Sequence, residues 1–222
     1  MIRTRILSTA ILFLLLFTTA SFGTNVFINE IHYDNDGGDT GEAIEIAGIA
    51  GLDLAGWSVV FYNGNGGAPY ETLSLSGILS DMQNGFGILS FEIAGIQNGA
   101  PDGLALVDPF SKVEQFLSYE GTFKAVGGVA DGIVSTDIGV SETGATPVGY
   151  SLQLTGSSYL TFSWAVPSES SFGAINSGQS FNTIVAPVPE PSSLLLIALG
   201  GLLIFLTIRL KLTFQSLNSI DQ

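Results

Sequence analysis

The densest potential chemistry in the chain is the run Asp34-Asn35-Asp36-Gly37-Gly38-Asp39-Thr40-Gly41-Glu42. Carboxylates at such short intervals on a glycine-rich loop can wrap one hard cation, because calcium takes several oxygen ligands and tolerates flexible geometry. Asp34, Asp36, Asp39 and Glu42 are the candidate calcium ligands. Their spacing is not that of an EF-hand loop. The alternative is a solvated acidic turn between two strands, although carboxylates this close repel one another without a counter-ion. His32, the single histidine, adjoins the loop through Tyr33. One histidine cannot build a multi-histidine zinc site, and a lone His at a strand end reads first as structural. Zero cysteines remove disulfides, thiolate metal sites, Cys nucleophiles and iron–sulfur clusters together. No nucleophile elbow, phosphate-binding loop or dinucleotide fingerprint occurs. What remains for catalysis is a small secreted hydrolase using carboxylates near His32, a Ser–His–Asp triad whose Ser nothing specifies, or a glycosidase-type pair of carboxylates.

Composition narrows the partners. Six Lys+Arg stand against twenty Asp+Glu in 222 residues, a formal charge of −14. So few cations make a DNA or RNA backbone partner unsuitable, since phosphate contacts need positive charge. Fifteen Phe, six Tyr and two Trp supply ample surface to bury, which opposes disorder.

Two apolar ends flank the acidic middle. Arg3 and Arg5, the apolar run Ile6 to Phe17, and the small residues Thr18 to Gly23 form the three-part pattern of a secretory signal peptide, residues 1–23, cleaved after Ala20 or Gly23. A second apolar run, Ser192 to Ile208, has no polar face and is followed by Arg209 and Lys211. It reads as a transmembrane helix with its basic end in the cytoplasm. The signal peptide puts the middle on the opposite side, so both ends agree on one topology. The span between them, 24–187, carries eighteen acids against Lys112 and Lys124, a net charge near −16. Such a surface repels anionic polymers unless divalent cations bridge them.

Immediately before the apolar run stand Pro189, Glu190 and Pro191. Residues 188–222 resemble the PEP-CTERM sorting tails of Gram-negative bacteria: a Pro-Glu-Pro triplet, an apolar helix, then basic residues. The resemblance implies processing by an exosortase, transient inner-membrane anchoring, and association with exopolysaccharide, biofilm or extracellular matrix. The tail departs from the pattern in having only Arg209 and Lys211 for a basic cluster and in continuing to Gln222.

The elements that must position any site are strands. Runs rich in Val, Ile, Phe and Tyr alternate with Gly/Asn/Asp turns: Val26–Ile31, Ala43–Ala47, Trp57–Tyr62, Glu71–Leu75, Phe86–Phe91, Gly103–Val107, Val113–Ser118, Ser151–Leu154 and Tyr159–Trp164. The spacing predicts an all-β domain, a sandwich or barrel. Trp57 is expected as a core anchor on a central strand, and Tyr119 as a buried ring with a bonded hydroxyl. Asn29 and Glu30 are expected to cap or brace the next loop. The stretches Phe27-Ile28-Asn29-Glu30-Ile31, Gly41-Glu42-Ala43-Ile44-Glu45-Ile46 and Leu52-Asp53-Leu54-Ala55-Gly56-Trp57-Ser58 resemble the lamin tail domain, which implies an immunoglobulin-like β-sandwich. The expected function is therefore a non-catalytic exported surface or matrix module, adhesive or structural. A calcium-dependent carbohydrate-binding module is the alternative.

Overall fold

Alternating apolar side chains need a second surface to cover them, and here each sheet covers the other. The computed structural model describes residues 26–182 and residues 201, 202, 205, 207 and 209. Its chain divides into two units, Met1–Phe181 and Asn182–Gln222. In the first, ten strands run in order: β1 Val26–His32, β2 Ala43–Ile49, β3 Ser58–Asn63, β4 Pro69–Ser74, β5 Phe86–Glu92, β6 Asp102–Val107, β7 Val113–Tyr119, β8 Thr136–Asp137, β9 Tyr150–Thr155 and β10 Ser163–Glu169. They form two five-stranded sheets, β10-β9-β1-β2-β5 and β4-β3-β6-β7-β8. All pairings are antiparallel except the short β7–β8 contact.

The main core joins Ile28, Ile31, Ile44, Ile46 and Leu152 of the first sheet to Val59, Phe61, Leu104, Leu106 and Leu117 of the second. This is a β-sandwich. Trp57 precedes β3 directly and is buried in that core. Tyr119 is buried and donates its hydroxyl hydrogen to the Gln97 carbonyl. The last strand differs from expectation. Residues 159–162 belong to the β9–β10 connection, and β10 starts at Ser163. Leu160 there is 76% exposed, so its apolar character marks no core position. Strand β8 has two exposed residues and no alternation that sequence could register.

Both outer faces are also covered. Residues 123–130 lay Phe123, Ala125 and Ala130 over Val60, Tyr62, Ala105 and Phe116 of the second sheet. On the first sheet the cover is polar. A register shift between Ile28 and Glu30 breaks the alternation of β1. Ile28 and Ile31 both enter the core, so Asn29 and Glu30 turn outward together. A strap, residues 170–181, crosses that face from the Glu169 end of β10 to the Phe86 end of β5, where Phe181 stacks on Phe86.

The register aligns His32, Ala43 and Glu92 at one end of the first sheet, and Asn63, Asp102 and Tyr119 at one end of the second. Tyr33 stacks on Tyr119, 3.8 Å between ring centroids, which joins these ends into one loop face. Val26 and Phe181 lie at the opposite end.

The expected signal peptide, the Pro189-Glu190-Pro191 triplet, Lys211 and most of the apolar run lie outside the described residues. Residues 201, 202, 205, 207 and 209 of the second unit are helical. The Arg209 guanidinium lies 5.5 Å from the Phe205 ring centroid. Among the described residues no helix is long and apolar enough to cross a membrane.

Candidate functional site

Strand β1 ends at His32, which is buried, as is Glu142. His32 Nδ1 lies 2.8 Å from Glu142 Oε1, and Nε2 lies 3.1 Å from the Thr40 carbonyl. Both ring nitrogens therefore face acceptors, the arrangement of an imidazolium. Burial alone would lower the pKa. The hydrogen bond and negative charge of Glu142, with help from Thr40 and Asn35, outweigh it and hold the pKa above the ordinary His range. Glu142 Oε2 also accepts from the Tyr33 and Asp34 amides, and the Tyr33 hydroxyl oxygen accepts from the Glu142 amide. His32 is thus a clamp on the segment around Glu142. Both of its ring nitrogens are engaged by these contacts.

The acidic loop folds around an amide. Asn35 is fully buried, and its Oδ1 accepts from the Thr40 amide at 2.9 Å. Its Nδ2 donates to the Asp36 and Gly38 carbonyls at 2.9 and 3.1 Å. Both carbonyls are thereby bonded to the Asn35 side chain. Asp36 is exposed. Asp39 accepts from the Asn35 amide and from Asn98 Nδ2. Glu42 is buried, and its two oxygens accept from the Gly95 and Ile96 amides at 2.7 Å each. Asp34 is brought beside Asp39, and its pKa is raised by partial desolvation and by the charge of Asp39. The structure therefore joins Asp34 with Asp39 and commits both Glu42 oxygens to backbone amides. Among the described residues no three His, Asp or Glu side chains are placed to hold a metal ion.

Next to this loop, the β3–β4 turn and the β5–β6 loop enclose a cleft of about 700 Å³. Its lining includes Asn63, Asn65, Gln97, Asn98 and Asp102. Asp102 organises it: Oδ1 accepts from the Gly64 amide at 2.8 Å and Oδ2 from the Gly99 amide at 2.7 Å. Desolvation raises the Asp102 pKa despite these bonds. Only glycine fits at residue 64, because a Cβ there would stand 1.9 Å from the Pro101 carbonyl oxygen. The lining offers amides, carbonyls and one carboxylate, with no cation and no aromatic ring. That chemistry suits a neutral, polyhydroxylated ligand and rejects phosphate.

A second polar cluster lies under the strap. Asn29 Nδ2 donates to Glu45 Oε1 at 2.8 Å, and the Gly173 amide donates to Glu45 Oε2 at 2.6 Å. Glu30 accepts from the Ser151 and Ser171 hydroxyls and from the Ser171 amide. Both carboxylates are fully buried, and among the described residues no Lys or Arg accompanies them. Burial raises the pKa of each, and Glu45, which also feels the charge of Glu30, is pushed up to about 8. Asn29 and Gln179 form a reciprocal amide pair, at 2.6 and 3.3 Å. Turning both amides over keeps that pair and presents Asn29 Oδ1 to Glu45, so a protonated Glu45 has an acceptor ready. Asn29 and Glu30 do brace a loop through hydrogen bonds. The loop is the strap, far along the chain, rather than the next one.

Glu142, Asn176 and Gln179 carry much of this organisation, and sequence reasoning missed them. Their partners on β1 and just after it lie 108 to 150 residues away, and each is an isolated polar residue in a polar loop. Only Asn29 and Glu30, polar residues interrupting an apolar strand, hinted that something must cover that face.

No curated protein and no solved structure matches the chain. One family motif does: residues 187–211 match the PEP-CTERM protein-sorting motif. That motif lies just beyond the end of the strap and marks this chain as an exported protein handled by an exosortase sorting system and directed to the cell envelope or surface.

Proposed function

We propose that the chain is a non-catalytic module of the cell surface or extracellular matrix, a β-sandwich delivered by its sorting tail and adhesive or structural once there. The observation that carries the reading is the sorting motif at 187–211, following a sandwich that the chain leaves at the end opposite its polar cleft. Four buried titratable groups are taken up in bracing: His32 by Glu142, Glu42 by backbone amides, Glu30 and Glu45 by the strap. We read the sandwich as lamin-tail-like on the strength of residues 27–31, 41–46 and 52–58. The apolar run of the tail acts as a transient inner-membrane anchor of a Gram-negative cell.

The test compares the full chain with a variant truncated after residue 186, both expressed in a bacterium that has an exosortase. Full-length protein should lose its tail, read by mass, and reach the surface or matrix fraction. Equal surface delivery of the truncated chain refutes the reading. A second reading, a carbohydrate-binding module, is favoured by the amide-lined cleft. Its calcium-dependent form would have to rely on Asp34 and Asp39. Retention of the exported domain on the producer's own polysaccharide, abolished by Asn63→Ala with Asn98→Ala, supports that reading.

A further inference from the structure

The chain contains four Asn-Gly pairs, at 63–64, 65–66, 84–85 and 98–99. This dipeptide is chemically labile. The glycine backbone nitrogen, unshielded by a Cβ, can attack the Asn side-chain carbonyl carbon. Attack requires that the glycine N–H lose its proton and that the Asn carboxamide turn toward it. Three of the pairs are held at both points. Gly64 and Gly99 donate their N–H groups to Asp102, while Gly85 donates to Asp81 Oδ1 at 3.0 Å. A carboxylate on the N–H opposes deprotonation by placing negative charge against negative charge. The carboxamides are anchored as well. Asn63 Nδ2 donates to Gln97 Oε1 at 2.6 Å, Asn84 Nδ2 to the Phe181 carbonyl at 2.6 Å, and Asn98 Nδ2 to Asp39 Oδ2 at 3.3 Å.

The fourth pair has neither restraint. Asn65 and Gly66 are exposed, and the Gly66 N–H and Asn65 carboxamide have no hydrogen-bond partner among the described residues. A Cβ placed on Gly66 would meet nothing within 4 Å, so space surrounds the reacting atoms. We infer that Asn65 is a spontaneous modification site, deamidating at the rim of the polar cleft while the Asp102 and Asp81 carboxylates protect the other three Asn-Gly pairs. The step balances without a further reactant. Gly66 N forms a bond to Asn65 Cγ, the Cγ–Nδ2 bond breaks, and ammonia leaves with the displaced proton. Water then opens the succinimide at either carbonyl, giving aspartate or isoaspartate. Each product adds a carboxylate to a cleft otherwise lined by amides and Asp102, independently of whether the cleft binds a glycan.

The experiment incubates the detergent-solubilised full chain at mildly alkaline pH and maps peptides by mass over time. The readout is the gain of an amide-to-acid exchange at each Asn-Gly pair. Breaking a hydrogen bond to a charged acceptor before attack slows the protected sites, so Asn65 should react roughly tenfold faster or more. In concentrated urea all four sites should converge on one rate, because the protection belongs to the fold. Substitution Asp102→Ala should speed Asn63 and Asn98 toward the Asn65 rate and leave Asn84 slow. Asn65→Ser should remove most of the acidic drift on ion exchange. Equal rates at all four sites in the folded protein, or the same ranking in urea, overturns the proposal, and neither result depends on a variant folding. Slower reaction of Asn63 and Asn98 in Asp102→Ala would show Asp102 acting as a base and overturn the protective role.

Discussion

Replacing Glu45 by Gln should raise the stability of the exported domain, and only above weakly acidic pH. Glu45 is fully buried beneath the strap with no Lys or Arg beside it among the described residues, and its pKa moves from 4.5 to about 8. An acid whose folded pKa is raised contributes stability that is complete below the unfolded pKa and lost as pH rises through the folded one. Between pH 4.5 and about 8 the folded state keeps a proton that the unfolded state has released. At ~1.4 kcal/mol per pH unit the loss across that window reaches about 5 kcal/mol. Gln has the same shape, no charge, and the hydrogen-bonding pattern of the protonated acid. With the Asn29–Gln179 pair turned over, its amide donates to Asn29 Oδ1 and its carbonyl accepts from Gly173. The assay is thermal unfolding of residues 24–187, wild type against Glu45→Gln, from pH 4.5 to 9. The two melting temperatures should nearly coincide at the acid end and separate progressively. At pH 8 and above, the variant should melt roughly 10–20 °C higher, given ~2–4 °C per kcal/mol for a domain of this size. Parallel curves across the whole range would refute the reasoning, since they would mean that Glu45 ionises in the folded state without cost.

Other substitutions test the rest of the frame. Glu142→Ala strands His32 and frees the Tyr33 and Asp34 amides, so chemical denaturation should show a loss of about 3–5 kcal/mol, larger than for His32→Ala. The wild-type clamp, resting on a raised His pKa, should be at full strength below pH 6.5 and weaken as pH rises through the folded value; a His32→Ala variant should lack this component of the pH–stability curve. Phe181→Ala removes a ring stacked on Phe86 at 4.7 Å and should cost about 3–4 kcal/mol, with proteolysis beginning in the strap. Gly64→Ala collides with the Pro101 carbonyl and should reshape the cleft, visible as lost polysaccharide retention together with a lower melting temperature. Calcium at millimolar concentration should leave the melting temperature of the wild-type domain unchanged, because the Asn35 amide occupies the centre of the acidic loop; a rise lost on replacing Asp34 and Asp39 by Asn would overturn that.

Strands and turns were legible in the chain because their signals are local. Val59, Phe61, Leu104 and Leu106 alternate with outward residues within a few positions of one another, and glycine-rich runs such as 63–67 punctuate them. Sorting was legible for the same reason: a Pro-Glu-Pro triplet before an apolar run is a contiguous code. Burial of Trp57 and Tyr119 followed from their type and surroundings. The acidic loop shows where local reading stops. Its carboxylates are adjacent in sequence, yet Glu42 serves the Gly95 and Ile96 amides, Asp39 reaches Asn98, and the centre belongs to Asn35. Composition and short-range order determined an exported, acidic, all-β module. The tertiary structure alone decided what its polar residues do, because a buried carboxylate or imidazole must find its partner wherever folding brings one. For His32 that partner is Glu142, 110 residues away, and for Asn29 it is Gln179, 150 residues away.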